Sequence, residues 1–212
     1  MKNYPHSNRK VDERGDLKTE ADRSIARKFG EEFFDGSRVQ GYGGFNYAPH
    51  FWEKVVPDFQ MHWGLKAGDC VLDIGCAKGF MLYDMMRLIP GLTVRGLDIS
   101  EYAIANAIEA VKPFCQVGTA LALPFPDKSI DVTISIAAIH NLDRGDCIKA
   151  LKEIERVSRK GSFVTVSSYR DSEEEKRQYA WNLTAKTILS VNEWKELFEE
   201  SGYTGDYYWF IA

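Results

Sequence analysis

A strand-like run, Cys70-Val71-Leu72-Asp73-Ile74, breaks into Gly75-Cys76-Ala77-Lys78-Gly79 and resumes as an amphipathic segment from Phe80. Few folds accommodate that order. The run is too apolar to be half-solvated, which suits a strand covered on both faces of a sheet. Glycines at its end allow a tight turn and let another molecule approach without meeting a Cβ. A helix starting directly after the turn aims its unpaired amides back at it.

The rest of the chain repeats the alternation. Strand patterns fall at residues 93–97, 114–117, Ile130–Ile136, 162–168 and 206–211, the last strongly aromatic. Helical patterns fall at 80–89, 101–111 and 146–158, and Ser190-Val191-Asn192-Glu193 reads as a capping box opening a helix that ends near Gly202. Alternating strands and helices predict an α/β fold: a doubly wound, mostly parallel, Rossmann-like sheet of about six strands. One strand after Gly202 leaves no closing hairpin.

A length of 212 residues suits a single domain covering 1–212. Residues 1–16 are polar and aperiodic, and flexibility is expected there. Residues 17–64 read as a helical lid on a core of 65–212. Helices are expected at 17–34, with Ile25, Phe29 and Phe33 on one face, and at 49–63. Between them Gly36, Gly41, Gly43 and Gly44 alternate with Tyr42, Phe45 and Tyr47. Glycine hinges plus large aromatics are what a closing cover needs.

Composition narrows the partners. No apolar run approaches the roughly 20 residues of a membrane helix, and the N-terminus lacks a signal-peptide pattern. Cys70, Cys76, Cys115 and Cys147 show no zinc spacing, so no metal is expected. A reduced, cytoplasmic protein is the plain reading. A net charge of −4 offers no field for a polyanion, so a small-molecule substrate is expected rather than nucleic acid or membrane. The oligomeric state stays open.

Asp98 ends the second strand pattern roughly 20 residues beyond the glycine turn, where an acid reaches ribose hydroxyls. A nucleoside ligand at the carboxyl edge of the sheet follows. The spacing Gly75-x-x-x-Gly79 is not the dinucleotide pattern, and no Lys-Ser/Thr pair marks a phosphate loop. Asp73 sits two residues before Gly75, where it would repel a pyrophosphate and welcome a cation. S-adenosylmethionine, with an ammonium group and a sulphonium, fits.

Asp73-Ile74-Gly75-Cys76-Ala77-Lys78-Gly79 resembles the first motif of class I S-adenosylmethionine-dependent methyltransferases. Gly118-Thr119-Ala120, Leu123-Pro124-Phe125 and Asp127-Lys128-Ser129-Ile130-Asp131 resemble a later stretch of that family, over a match of roughly 65–202. The chain is also similar to small bacterial members with a GYGGF-like entry segment and a TGDYYWFI-like ending. The resemblance implies an enzyme, a transferase, with S-adenosyl-L-methionine as cofactor. It further implies that Gly75, Cys76, Ala77 and Gly79 line the methionine part and that Asp73 holds the ammonium. Asp98 would bind the ribose, Ile99 would pack on adenine, Thr119, Ala120 and Leu121 would border the base, and Ser135 would lie below the ligand. Ala77 stands where the family has a glycine, and Thr119 where it has an aspartate.

His140 and Asn141 follow the fourth strand, near where the methyl group would emerge. An ordinary histidine has a pKa suited to a general base, and Asn141 suits a polar substrate contact. Tyr42 or Tyr47 is expected over the methionine end, with Tyr47 among the catalytic candidates. Two other uses stay open: cyclase or lyase chemistry on the same cofactor, releasing methylthioadenosine, or a non-catalytic cofactor-binding subunit.

Overall fold

The structure is a computed structural model that describes residues 18–212; the expectation for residues 1–16 lies outside them. Its elements in chain order are α1 (Glu20–Ala26), α2 (Glu31–Phe34), α3 (Val55–Trp63), β1 (Cys70–Ile74), α4 (Phe80–Leu88), β2 (Thr93–Asp98), α5 (Glu101–Ala105), β3 (Cys115–Val117), β4 (Ile130–Ile136), α6 (Arg144–Val157), β5 (Ser158–Tyr169), α7 (Ser172–Trp181), β6 (Leu189–Ser190), α8 (Val191–Ser201) and β7 (Asp206–Phe210). Short 3-10 turns lie at Pro49–Phe51, Lys112–Phe114 and Ile139–Asn141.

The strands run β3-β2-β1-β4-β5-β6, and β7 also pairs with β5. All of these pairings are parallel. The two last strands share one flank of β5: β7 lies along Phe163–Ser167 and β6 along Ser168–Tyr169. Among the described residues, seven strands therefore stand where about six are expected. The addition is the two-residue β6, too short to leave a periodicity. The single strand after Gly202 agrees with the sequence.

Two apolar layers sandwich the sheet. One packs Leu72, Ile74, Val164 and Val166 under Leu151, Ile154, Trp194 and Leu197 of α6 and α8. The other packs Val71, Val94, Val132 and Ile134 under Phe59, Met81, Leu82 and Met85 of α3 and α4. The alternating inward residues of β1 thus serve both faces, as a central parallel strand must.

The N-terminal helices are shorter than their patterns. The stretch expected as one helix over 17–34 is broken at Phe29, whose φ of 51° is left-handed, and at Gly30, which caps α2. Thr19 closes a capping box with Asp22 at the start of α1. The pattern at 101–111 holds helix only through Ala105.

Candidate active site

Strand order reverses between β1 and β4, and in open α/β sheets that crevice is where ligands bind. The turns after the two strands meet there. A Cβ built on Gly75, whose φ is 81°, would lie 2.4 Å from the Ala138 methyl. Gly75 thus has both a backbone and a steric reason to be glycine. The Ser135 hydroxyl donates to the Ile74 carbonyl at 3.1 Å, binding the strand ends together from a fully buried position.

The turn is held from β2. The Gly75 and Cys76 amides donate to the Leu97 carbonyl at 2.7 and 3.2 Å. The Ala77 amide donates to Asp98 Oδ2 at 2.7 Å, and the Ser100 amide to Asp98 Oδ1 at 2.8 Å. Asp98 therefore orders the glycine turn besides any ligand it meets, and its carboxylate keeps acceptor capacity beyond these bonds. Ala77 adopts a left-handed φ of 49°, the conformation a glycine would take at less cost. Cys76 contributes backbone only: its thiol turns inward and meets that of Cys115 over Gly96, where a Cβ would be 2.8 and 2.7 Å from the two sulphurs.

Asp73 is 4% exposed, and its Oδ1 has no hydrogen-bond partner among the described residues. Burial, with Cys115 and Asp98 adding to it, holds its pKa well above the carboxylate range. Burial also raises Asp98. A buried acceptor without a donor is costly and calls for a complement. An ammonium is one, so the donor set at this turn fits the expected cofactor. Ile99 stands 62% exposed beside Asp98, an apolar surface of the kind a nucleobase covers. Across from it, the Gly118 amide donates to the Asp98 carbonyl at 2.8 Å, and Thr119 Oγ1 accepts from the Leu121 amide at 3.2 Å. Ala120 and Leu121 pack on the core from this loop.

The structure changes the reading of His140. Its Nδ1 accepts from the Ser167 amide at 2.8 Å, and burial lowers its pKa to about 4. The ring is neutral near pH 7, with its proton on Nε2. The general-base expectation is thereby corrected: the ring is bonded to backbone and has no free basic nitrogen. Asn141 is different: Nδ2 donates to the Ala137 carbonyl at 3.2 Å, while Oδ1 is buried without a partner among the described residues.

The N-terminal segment expected as a lid is pinned at several points. Lys18 Nζ donates to the Trp181 carbonyl at the end of α7, 4.9 Å from that indole. Beyond α1, the Ser100 hydroxyl donates to the Phe29 carbonyl at 2.5 Å. Residues 18–29 thereby pass from the β5 side to the β2 side. Tyr42 is 43% exposed, within a cluster of Phe33, Phe34 and Phe45, and Phe45 stacks on Phe80 at 4.8 Å. Tyr47 is directed elsewhere: its hydroxyl donates to Asp84 Oδ1 at 2.6 Å. Sequence reasoning missed Asp84, which shows only as one polar residue in an apolar helix. For Lys78 the sequence favours a solvated loop position over a carboxylate clamp; the residue is 8% exposed and its ammonium meets Asp35.

Among the described residues, no three of His, Cys, Asp and Glu assemble as a metal set, and no helix is long and apolar enough to cross a membrane.

A family described as "Methyltransferase domain" matches residues 65–202. The chain is 29% identical over 152 residues to a demethylmenaquinone methyltransferase of Symbiobacterium thermophilum, covering 68% of this chain and 59% of that protein. It is 30% identical over 155 residues to a tRNA (carboxymethyluridine(34)-5-O)-methyltransferase of Arabidopsis thaliana, covering 69% and 36%. The chain thus spans about half the length of these relatives. Among solved structures, Haemonchus contortus phosphoethanolamine N-methyltransferase 2 in complex with S-adenosyl-L-methionine superposes with a TM-score of 0.58 at 19% identity, covering 84% of this chain and 44% of that one. That likeness concerns the fold.

Proposed function

We propose, on the premise that this chain belongs to the methyltransferase-domain family, that it transfers the methyl group of S-adenosylmethionine to a small-molecule acceptor. The observation that carries this reading is the buried, unpartnered Asp73 Oδ1 at the glycine turn of the β1/β4 crevice. S-adenosylmethionine, which the family uses, supplies a methyl group already activated on a sulphonium. The work left to the protein is binding, orientation and exclusion of water.

Asp73 takes the ammonium, with Gly75 and Gly79 leaving room for the methionine chain. Asp98 uses its remaining acceptor sites for the ribose hydroxyls. Ile99, with Thr119, Ala120 and Leu121, encloses the base. The acceptor lies toward the end of β4, where Asn141 Oδ1 receives an N–H or O–H from it. The aromatic lid keeps water away. Holding two reactants in line contributes about 7–11 kcal/mol toward such a displacement, so no base is needed unless the acceptor must lose a proton first.

The net charge of −4 and the demethylmenaquinone-type relative support a small organic acceptor over an RNA. The test is product analysis with labelled cofactor, a panel of hydroxylated and amine-bearing small molecules, and bulk tRNA. S-adenosylhomocysteine with a methylated small molecule is expected. Methylthioadenosine, methylated tRNA, or binding without turnover of any acceptor would overturn the reading.

A further inference from the structure

We propose that Lys78 is a positioning residue: through Asp35 it latches the N-terminal lid onto the cofactor turn and so keeps the lid closed over the methionine end. The inference rests on the cofactor site above and concerns how that site is completed.

Lys78 lies in the turn between Ala77 and Gly79, both left-handed, with φ of 49° and 76°. Its Nζ donates to Asp35 Oδ2 at 2.6 Å and to the Phe45 carbonyl at 3.1 Å. Asp35, just after α2, is the hub of the arrangement. Its Oδ1 accepts from the Phe45 amide at 3.0 Å, and its Oδ2 also accepts from the Tyr102 hydroxyl at 2.8 Å. The Tyr102 ring of α5 lies 5.9 Å from the ammonium. One carboxylate thus joins three separate pieces of chain: the lid at Phe45, the cofactor turn at Lys78 and helix α5 at Tyr102.

Burial separates this pair from an ordinary surface ion pair. The Lys78 side chain is 10% exposed and that of Asp35 28%, so removing Asp35 strands a buried ammonium, whereas removing Lys78 leaves Asp35 partly solvated. Within the lid the Tyr42 and Gly44 amides donate to the Phe33 and Phe34 carbonyls at 2.9 and 3.1 Å, closing the loop on itself. Its other ties toward α4 are the Phe45 stack on Phe80 and the Tyr47–Asp84 hydrogen bond, neither of which involves the turn residues 75–79. The ion pair supplies the link that the loop's own bonds lack: Asp35 and Phe45, held to one ammonium, anchor the glycine-rich segment 36–44 on the turn. The cofactor turn and the lid therefore move as one piece. A cofactor that orders the turn also stabilises the closed lid, and by linkage a latched lid strengthens cofactor binding.

The test needs no methyl acceptor, so it stands apart from the acceptor reading. Hydrogen exchange of residues 35–47 and calorimetric affinity for S-adenosylhomocysteine are measured on wild type, Lys78→Met, Asp35→Asn, the double variant and Lys78→Arg. Exchange in β1 and β4 serves as the internal check that each variant is folded. Lys78→Met and Asp35→Asn should each speed exchange in 35–47 by about tenfold and weaken affinity five- to twentyfold. The double variant should be no worse than either single one, and Lys78→Arg should recover most of both readouts. Unchanged lid exchange in folded single variants, or a double variant whose loss is the product of the two, would overturn the latch. Should Lys78→Met not fold, Asp35→Asn decides alone, since it leaves the turn sequence intact.

Discussion

Tyr47 donates its hydroxyl to Asp84 Oδ1 at 2.6 Å, and Asp84 lies entirely out of solvent on α4. Arg87 reaches the same oxygen at 3.0 Å and holds Glu53 at 2.8 Å with its other contact. One helical turn earlier, Phe80 receives the Phe45 ring. Residues 80 and 84 share a helix face, so the helix that begins at the cofactor turn presents one side to the lid. An aromatic contact marks its first turn and a buried carboxylate its second. The N-terminal segment is built against α4 rather than hung from it. Tyr47 serves as a fastener one turn removed from the turn itself.

Tyr47→Phe should therefore cost stability rather than chemistry. The phenol is pushed up to about 12, by burial first and then by Asp84, so it does not act as a base near neutrality. Removing it takes a donor from a fully buried carboxylate, a loss of about 1.5–3 kcal/mol for a bond to a charged group. Urea unfolding should shift by that amount with the slope unchanged, while kcat stays within twofold of wild type. A large fall in kcat at unchanged stability would place Tyr47 in the reaction.

Asp73 sets function against stability. Its pKa is raised in the folded protein, so the unfolded chain ionises more readily and stability is lost as pH rises through the folded value. At neutral pH Asp73→Asn should stabilise the cofactor-free protein, by about 1–3 kcal/mol for relief of an uncompensated buried group. The same change should weaken S-adenosylmethionine at least tenfold. For wild type, cofactor affinity should rise with pH as Asp73 ionises, and calorimetry in buffers of differing ionisation heat should show proton release on binding. An Asp73→Asn variant that melts lower and binds equally well would contradict both halves.

The glycine-turn half of the candidate site is legible in the chain because its parts are close in sequence and each has one physical purpose. A strand running into Gly75 and Gly79, and an acid at the next strand end, already specify the turn and Asp98. The segment proposed as a lid stands out as a composition, through glycines among aromatics, but not as a geometry. Lys78 and Asp35 meet across the whole of the lid and β1, and no local pattern announces a pair so far apart. His140 reads as a base because its type has a suitable ordinary pKa; only its burial under β5 and the Ser167 amide make it neutral. The break at Phe29 is hidden as well, since Ile25, Phe29 and Phe33 keep a helical spacing while Phe29 itself turns left-handed.

Gly75→Ala tests the contact between the two turns. The added methyl would meet the Ala138 methyl at 2.4 Å, at a residue whose φ is 81°. Left-handed backbone costs an alanine about 1–2 kcal/mol, and overpacking adds about 1–3 kcal/mol. The β1 and β4 turns must separate to relieve it. Thermal unfolding should drop, and cofactor affinity should fall more steeply than at Gly64, where a Cβ meets nothing within 4 Å. Equal effects of Gly75→Ala and Gly64→Ala on affinity would mean that the turns can separate without disturbing the site.

His140 gives a prediction in pH. Burial lowers its folded pKa from 6.5 to about 4, so protonation favours the unfolded chain. Stability contributed by the neutral ring is complete above the unfolded value and is lost as pH falls toward about 4, on the order of 3 kcal/mol in all. Denaturant titrations should show that decline in wild type. His140→Gln keeps an acceptor for the Ser167 amide but has nothing to protonate, so it should flatten the acid slope. Turnover is the second readout. A ring that is neutral throughout the working range, with Nδ1 occupied, contributes no ionisation of its own to kcat/KM between about pH 5 and 8. The wild-type and His140→Gln profiles should therefore superpose in shape across that range. An inflection near 6 to 7 that vanishes on substitution would show that His140 leaves its backbone partner during turnover and acts as the base.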